Sequence, residues 1–259
     1  MFASSGAVIF SFHGFNLYWY GVILAIAILV GINVSNFFAE RCYKSSFVLD
    51  SAPLVIILGI VFARFYYCVL NYKYYFSSPL EILAIRHGGL AIHGAVLGGI
   101  LGLLTYFFLN KEKFKLGFLQ ITDVYALGLP LGQAIGRWGN FFNSEAFGSP
   151  CDLPWKLFIP VQNRPLAYID NPFFHPTFLY ESLLDLFIFF VLVHLFKKHS
   201  IKGLTTALYL IFYGVCRLFV EFFRTDSILS IGFFHVAQVA SLLMIILGAI
   251  LLFLVNRKV

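Results

Sequence analysis

Between Gly136 and Gly148 the chain reads Gly-Arg-Trp-Gly-Asn-Phe-Phe-Asn-Ser-Glu-Ala-Phe-Gly, which sets Arg137, Asn140, Asn143 and Glu145 in otherwise apolar surroundings. A guanidinium is a planar fork for two phosphate oxygens, and neutral amides beside a carboxylate can orient it. These residue types at this spacing therefore suit an anionic phosphate headgroup. The preceding run, 116–135, is apolar and long enough to cross a bilayer. The stretch is expected to begin where that helix leaves the hydrocarbon, in a backbone whose glycines, Gly148 included, admit a ligand closely. The plainer alternative is an arginine snorkelling to the surface while its Asn and Glu neighbours cap the helix. The density of polar and glycine positions favours a site.

Other polar residues gather at the same depth. Tyr213, Arg217, Glu221 and Arg224 follow at spacings of four, four and three, which places them on one face of a helix. A structural ion-pair ladder, with Glu221 holding both arginines, is the alternative, weightier for Arg224 than for the deeper Arg217. His93 lies about five residues, roughly 8 Å, inside an apolar segment that starts at Gly88. It is either a hydrogen-bonded packing residue or, beside arginines, a general base. Glu181 follows the helix start His175-Pro176 and reads as the partner of a buried arginine. Tyr20 opens the first apolar segment and Arg64 sits in the second. A charge inside a bilayer is costly unless it is paired or faces water, so this many at one depth imply a shared polar cavity open to the outer leaflet.

The elements that must position these residues are membrane helices. With 60% hydrophobic and 12% charged residues in 259, a single soluble domain could not hide the apolar surface. Seven apolar segments, 17–38, 48–69, 88–109, 116–135, 176–196, 204–223 and 233–255, are each expected to be a helix. Arg41 and Lys44, Lys111, Lys113 and Lys115, Lys197, Lys198 and Lys202, and Arg257 and Lys258 all fall on one side. The positive-inside rule then puts the N-terminus outside and the C-terminus in the cytoplasm. That lysine distribution accounts for the net charge of +6 without nucleic acid. The connection 137–175 becomes an extracytoplasmic arm within a single membrane-embedded domain, 1–259. Its prolines, Pro150, Pro154, Pro160, Pro165 and Pro172, argue against another helix. The first segment has no basic stretch before it and continues for a full span, so it is expected to stay in the mature chain. Cys42, Cys68, Cys151 and Cys216 are too scattered for a metal cluster or disulfide framework. Neither a Walker loop nor an H-E-x-x-H pattern is present.

The chain resembles the prolipoprotein diacylglyceryl transferase family almost end to end. The resemblance is carried by Trp19-Tyr20-Gly21, Ala63-Arg64, Gly88 to Gly94, His175-Pro176-Thr177 with Tyr180-Glu181, and Tyr213-Gly214 with Arg217, Glu221 and Arg224. Its most specific part is G-R-x-G-N-F-x-N-x-E-x-x-G at Gly136–Gly148. Ala95 departs from it, standing where a second glycine is expected after the histidine.

The resemblance implies an enzyme of the bacterial cytoplasmic (inner) membrane. It would transfer the diacylglyceryl group of phosphatidylglycerol to the thiol of the lipobox cysteine in prolipoprotein signal peptides, forming a thioether and releasing glycerol phosphate. Arg137 and Arg217 would then serve the phosphate and His93 would be the candidate base. Tyr20, Asn140, Asn143, Glu145, Gly148, Glu221 and Arg224 would bind and orient the headgroup and arginines, with no metal or cofactor. The competing reading is a lipid or peptide transporter. Against it, the charges concentrate in one leaflet rather than near the midplane, and no internal repeat is evident.

Overall fold

The computed structural model describes residues 2–13, 15–84, 88–112, 116–199, 201–225, 230–231 and 234–257. Lys113, Lys115, Lys258 and the start of the seventh segment at Phe233 lie outside them. The helices are α1 (Trp19–Tyr43), α2 (Phe47–Leu70), the short α3 (Tyr72–Ser77), α4 (Ile92–Leu109), α5 (Phe118–Asn143), α6 (Thr177–Lys198), α7 (Leu204–Glu221) and α8 (Val236–Asn256). All except α3 and α5 are long and apolar enough to cross a membrane, which makes six spans among the described residues. The helix α5 carries Gln120, Asp123, Gln133, Arg137, Asn140 and Asn143, polar groups that a lipid-facing helix could not hide.

Several expected boundaries move, each for a local reason. The first helix continues past Phe38 and takes Arg41 into its last turn, where a cation complements the helix dipole. The third begins at Ile92 rather than Gly88, because Gly88 and Gly89 have φ of +87° and +77°, left-handed values that end a right-handed helix. His93 is therefore in the first turn of α4, not a turn and a half inside it. The sixth stops at Glu221, leaving Arg224 outside the helix. Short strands, absent from the sequence reading, add β1 (Phe2–Ala3), the hairpin β2 (Val8–Phe12) with β3 (Phe15–Tyr18), β4 (Leu157–Phe158), β5 (Phe173–Phe174), and β6 (Ser230–Ile231) with β7 (Phe234–His235).

The chain divides into two compact units, Asn36–Phe118 and Met1–Ser35 with Leu119–Val259. In the first, α4 lies against α2 through Gly94, Gly98 and Gly102. A Cβ at Gly94 would run into the carbonyl of Phe62, and one at Gly98 into that of Leu58. Small residues at every fourth position let two membrane helices approach at backbone distance. Arg64, only 5% exposed, donates Nε to the carbonyl of Ile82 at 2.9 Å and Nη1 to those of Gly88 at 2.6 Å and Gly89 at 3.0 Å. Its Nη2 donates to the carbonyl of Glu81 at 2.5 Å. All three nitrogens thus donate to carbonyls between Glu81 and Gly89, and Arg64 staples that segment to α2.

In the second unit α5 packs on α1 at Gly128, where a Cβ would meet the carbonyl of Gly31 and the hydroxyl of Ser35. The connection from α5 to α6 folds over an apolar cluster of Ala146, Phe147, Leu157, Ile159, Phe174 and Phe178. There β4 pairs antiparallel with β5 and parallel with β1, aligning Leu157 with both Phe174 and Phe2.

Candidate functional site

The site is built where α5 and α7 end and α6 begins. Proline at the α6 N-cap brings the chain in, and the carbonyl of Ala146 accepts from the Phe178 amide at 3.0 Å and the Thr177 hydroxyl at 2.6 Å. This ties the start of α6 to the turn after α5. In that first stretch of α6 lies Glu181, 4% exposed. Its Oε2 is 2.6 Å from Nη2 of Arg137, and its Oε1 is 3.3 Å from Nη1 of Arg217 and 3.7 Å from Nη1 of Arg224. One buried carboxylate is shared by three arginines from α5, α7 and the segment beyond α7. Glu221, 3% exposed, takes Nη2 of Arg217 at 2.9 Å and Nδ1 of His235 at 3.1 Å. The His235 amide in turn donates to Oε1 of Gln238 at 3.1 Å, closing the N-terminus of α8. A carboxylate so buried is tolerable only with such partners.

Arg137 spends a single nitrogen on the protein. Its Nη2 meets Glu181 and also donates to the Tyr213 hydroxyl at 3.3 Å. Among the described residues no acceptor is paired with Nε or Nη1. With Asn140, Glu145 and Arg224, Arg137 lines a cavity of about 490 Å³, a size ordinary for small-molecule sites. Asn140 and Asn143 both donate to Oε1 of Glu145, at 2.8 and 3.4 Å. Ser144 and Ala146, on either side of it, each have φ of +54°, an uncommon value for residues with a Cβ. That conformation persists because the Glu145 amide donates to the carbonyl of Asn140 at 3.0 Å and the Ala146 carbonyl accepts twice from α6.

Two glycines are required by contact. A Cβ at Gly139 would stand 2.8 Å from the Tyr20 ring, which places that ring on α5 within electrostatic reach of Glu145 and Arg137. A Cβ at Gly148 would stand 2.6 Å from the carbonyl of Phe223. Gly148 donates its amide to the carbonyl of His175 at 2.8 Å, accepts from the Thr225 hydroxyl at 2.9 Å, and forms a β-bridge with Arg224. Gly148 thus holds Arg224 in place, with its own backbone groups already engaged. His175 has its pKa below the ordinary value through burial, with Nδ1 3.2 Å from the Tyr180 hydroxyl.

The structure brings Arg137, Arg217 and Arg224 together on Glu181, with Glu221 and Tyr213 in the same network. It sets Asn140, Asn143, Glu145 and Tyr20 around the end of α5. Two expectations change. Arg137, Asn140 and Asn143 belong to α5, which runs on to Asn143, so the amides are presented by a helix face and not by a loop. Arg224 is placed by its bridge to Gly148 and not by helical spacing. His93 belongs to the other unit, 6.0 Å ring to ring from Tyr66 and without a hydrogen-bond partner among the described residues.

Sequence reasoning missed Asp185. It is 2% exposed, its Oδ2 has no hydrogen-bond partner among the described residues, and it lies within electrostatic reach of Arg137, Arg217 and Tyr213. The available signal was a second acid four residues after Glu181 inside an apolar helix.

Together these features define a multi-pass helical membrane protein with a polar site enclosed among its helix ends. The family model described as prolipoprotein diacylglyceryl transferase matches residues 7–254. A Thermotoga maritima protein named phosphatidylglycerol–prolipoprotein diacylglyceryl transferase is 48% identical over 246 residues, 93% of this chain and 81% of its own length. Proteins of the same name from Acaryochloris marina and Synechococcus elongatus are 45% and 44% identical, covering 100% and 96% of this chain and 94% and 87% of their own lengths. The chain belongs to the prolipoprotein diacylglyceryl transferase family.

Proposed function

We propose that this protein transfers the diacylglyceryl group of phosphatidylglycerol to the lipobox cysteine of prolipoproteins, from the outer face of a bacterial cytoplasmic membrane. All seven long helices, α5 included, span the bilayer, with the N-terminus outside, the C-terminus in the cytoplasm, and the arm between α5 and α6 extracytoplasmic. The observation that carries the reading is the sharing of Glu181. It fixes Arg137, Arg217 and Arg224 as a group, while Nε and Nη1 of Arg137 stay unpaired among the described residues, beside a cavity also lined by Asn140 and Glu145.

In the reaction the cysteine sulfur forms a bond to the glycerol carbon that carries the phosphoester, and the bond from that carbon to the phosphate oxygen breaks. The thiol loses its proton and glycerol phosphate leaves with one more negative charge. Arg137 and Arg217 bind the phosphate and stabilise that growing charge, a contribution that is large in a water-poor site. Asn140, Asn143 and Glu145 orient the headgroup at the end of α5, Tyr20 closes the side next to Gly139, and Glu221 with Arg224 sets the arginines. A thiol of ordinary pKa, near 8.5, is mostly protonated at neutral pH, and His93 is the candidate to take its proton.

Purified protein in detergent, given labelled phosphatidylglycerol and a lipobox peptide, should yield a thioether-linked lipopeptide. Binding of both substrates without product would instead indicate a transporter or a scaffold. For His93, comparison of His93→Asn and His93→Gln over a pH series separates base from packing residue. Loss of about a hundredfold in both variants marks a base. Near-parental rates with one shared pH profile would make the residue structural.

A further inference from the structure

Arg164, in the arm between α5 and α6, lines the same 490 Å³ cavity as Arg137, Asn140, Glu145 and Arg224, together with Gln162 and Asn163. Its guanidinium is already fixed. Nε donates to the carbonyl of Ile159 at 2.9 Å, Nη1 to that of Ile169 at 2.8 Å, and the guanidinium carbon sits 5.8 Å from the centre of the Phe158 ring. Among the described residues no acceptor is paired with Nη2. At Arg64, by contrast, each of the three nitrogens donates to a backbone carbonyl. A cation held by two carbonyls with one edge left over has lost its side-chain freedom before a ligand arrives, which favours binding.

The lining also narrows what that ligand is. Arg137, Arg164 and Arg224 reach the cavity from three separate segments, and its acid, Glu145, already accepts from Asn140 and Asn143. A positive lining attracts a phosphodiester and repels an ammonium group. Neutral amides such as Gln162 and Asn163 donate to and accept from hydroxyls. We infer that Arg164 and Gln162 form the arm's half of the headgroup pocket, contacting a glycerol phosphate and selecting it over headgroups that carry an amine. This rests on the proposed reading of the cavity as the phosphatidylglycerol site.

The test measures kcat and KM in mixed micelles for phosphatidylglycerol and for phosphatidylethanolamine, and inhibition by free glycerol phosphate. Parent, Arg164→Gln, Arg164→Lys and Gln162→Ala are compared. One lost charge-assisted contact should raise KM for phosphatidylglycerol in Arg164→Gln roughly tenfold or more, with kcat within about threefold. Inhibition by glycerol phosphate should weaken in parallel, the preference over phosphatidylethanolamine should shrink, and Arg164→Lys should recover part of both. Gln162→Ala, a change at an exposed position that keeps every arginine, should raise KM for phosphatidylglycerol by a smaller factor, about a few fold, and lower the preference with it. Unchanged KM and headgroup preference in Arg164→Gln, with only the melting temperature lowered, would make Arg164 another staple and overturn the inference. So would a higher KM for the lipid with unaltered inhibition by glycerol phosphate, since the contact would then lie beyond the headgroup. Failure of the underlying reading looks different, because the parent protein would not turn over phosphatidylglycerol at all.

Discussion

Asp123 and Glu181 are buried to nearly the same degree in the same unit, at 2% and 4% exposure, yet they are satisfied in opposite ways. Asp123 accepts from the Gly203 amide at 2.6 Å and from the Thr206 amide and hydroxyl, each at 2.8 Å. It caps the start of α7 from across the interface with α5, where the first backbone amides of a helix have no partner of their own. Glu181 instead collects three guanidinium groups. On α5 the two regions are separated by the fourteen residues from Asp123 to Arg137, about 21 Å of helix. A carboxylate saturated by neutral donors locks two helices and offers nothing to a ligand. One saturated by cations organises guanidinium groups, and Arg137 among them keeps Nε and Nη1 without an acceptor among the described residues. Burial of an acid therefore does not identify a site, whereas the identity of its partners does.

That contrast can be broken at either end. The largest effect is expected from Glu181→Gln, which leaves three arginines without their shared counter-charge. Stripping one partner from a buried ion pair costs about 3–5 kcal/mol of stability. Turnover should also fall by about a hundredfold or more as the arginines lose their aim. Thermal unfolding and the lipopeptide assay read the two effects, and a variant that is stable and active would remove Glu181 from the centre of the account. Asp123→Asn should destabilise by about 1–3 kcal/mol, since its amide nitrogen faces donors. Its folded fraction should keep kcat/KM within a few fold, and a selective loss of turnover at unchanged stability would abolish the distinction drawn here. Thr206→Val removes the hydroxyl that lies between Asp123 and the Thr122 hydroxyl, and a loss of about 1 kcal/mol with no kinetic change is expected.

Residue chemistry was more legible in the sequence than its geometry. Arg137, Asn140 and Glu145 stood out because polar side chains beside an apolar run need a reason. The end of α5 was misplaced because the apolar run stops at Ile135 and the glycines beyond it were read as an approach for a ligand, whereas Gly139 stays helical and makes room for the Tyr20 ring. Arg224 looked helical by spacing, but its bridge to Gly148 takes the chain out of α7. Arg64 was placed by depth alone, and depth does not reveal that its nitrogens reach the carbonyls of Glu81, Ile82, Gly88 and Gly89. Asp123 and Asp185 were passed over because their partners are remote in sequence. The Asp123 bonds span about eighty residues, and no local pattern encodes them.

The central claim is that the Glu181 end binds a phosphate through guanidinium edges while the Asp123 end only holds helices together. Arg137→Lys tests it most directly, because lysine keeps the charge but not the planar fork. Measured in the lipopeptide assay beside Asp123→Asn, Arg137→Lys should lose about a hundredfold or more in kcat/KM while still inserting into the membrane and unfolding near the parental temperature. Near-parental turnover in Arg137→Lys would contradict the account.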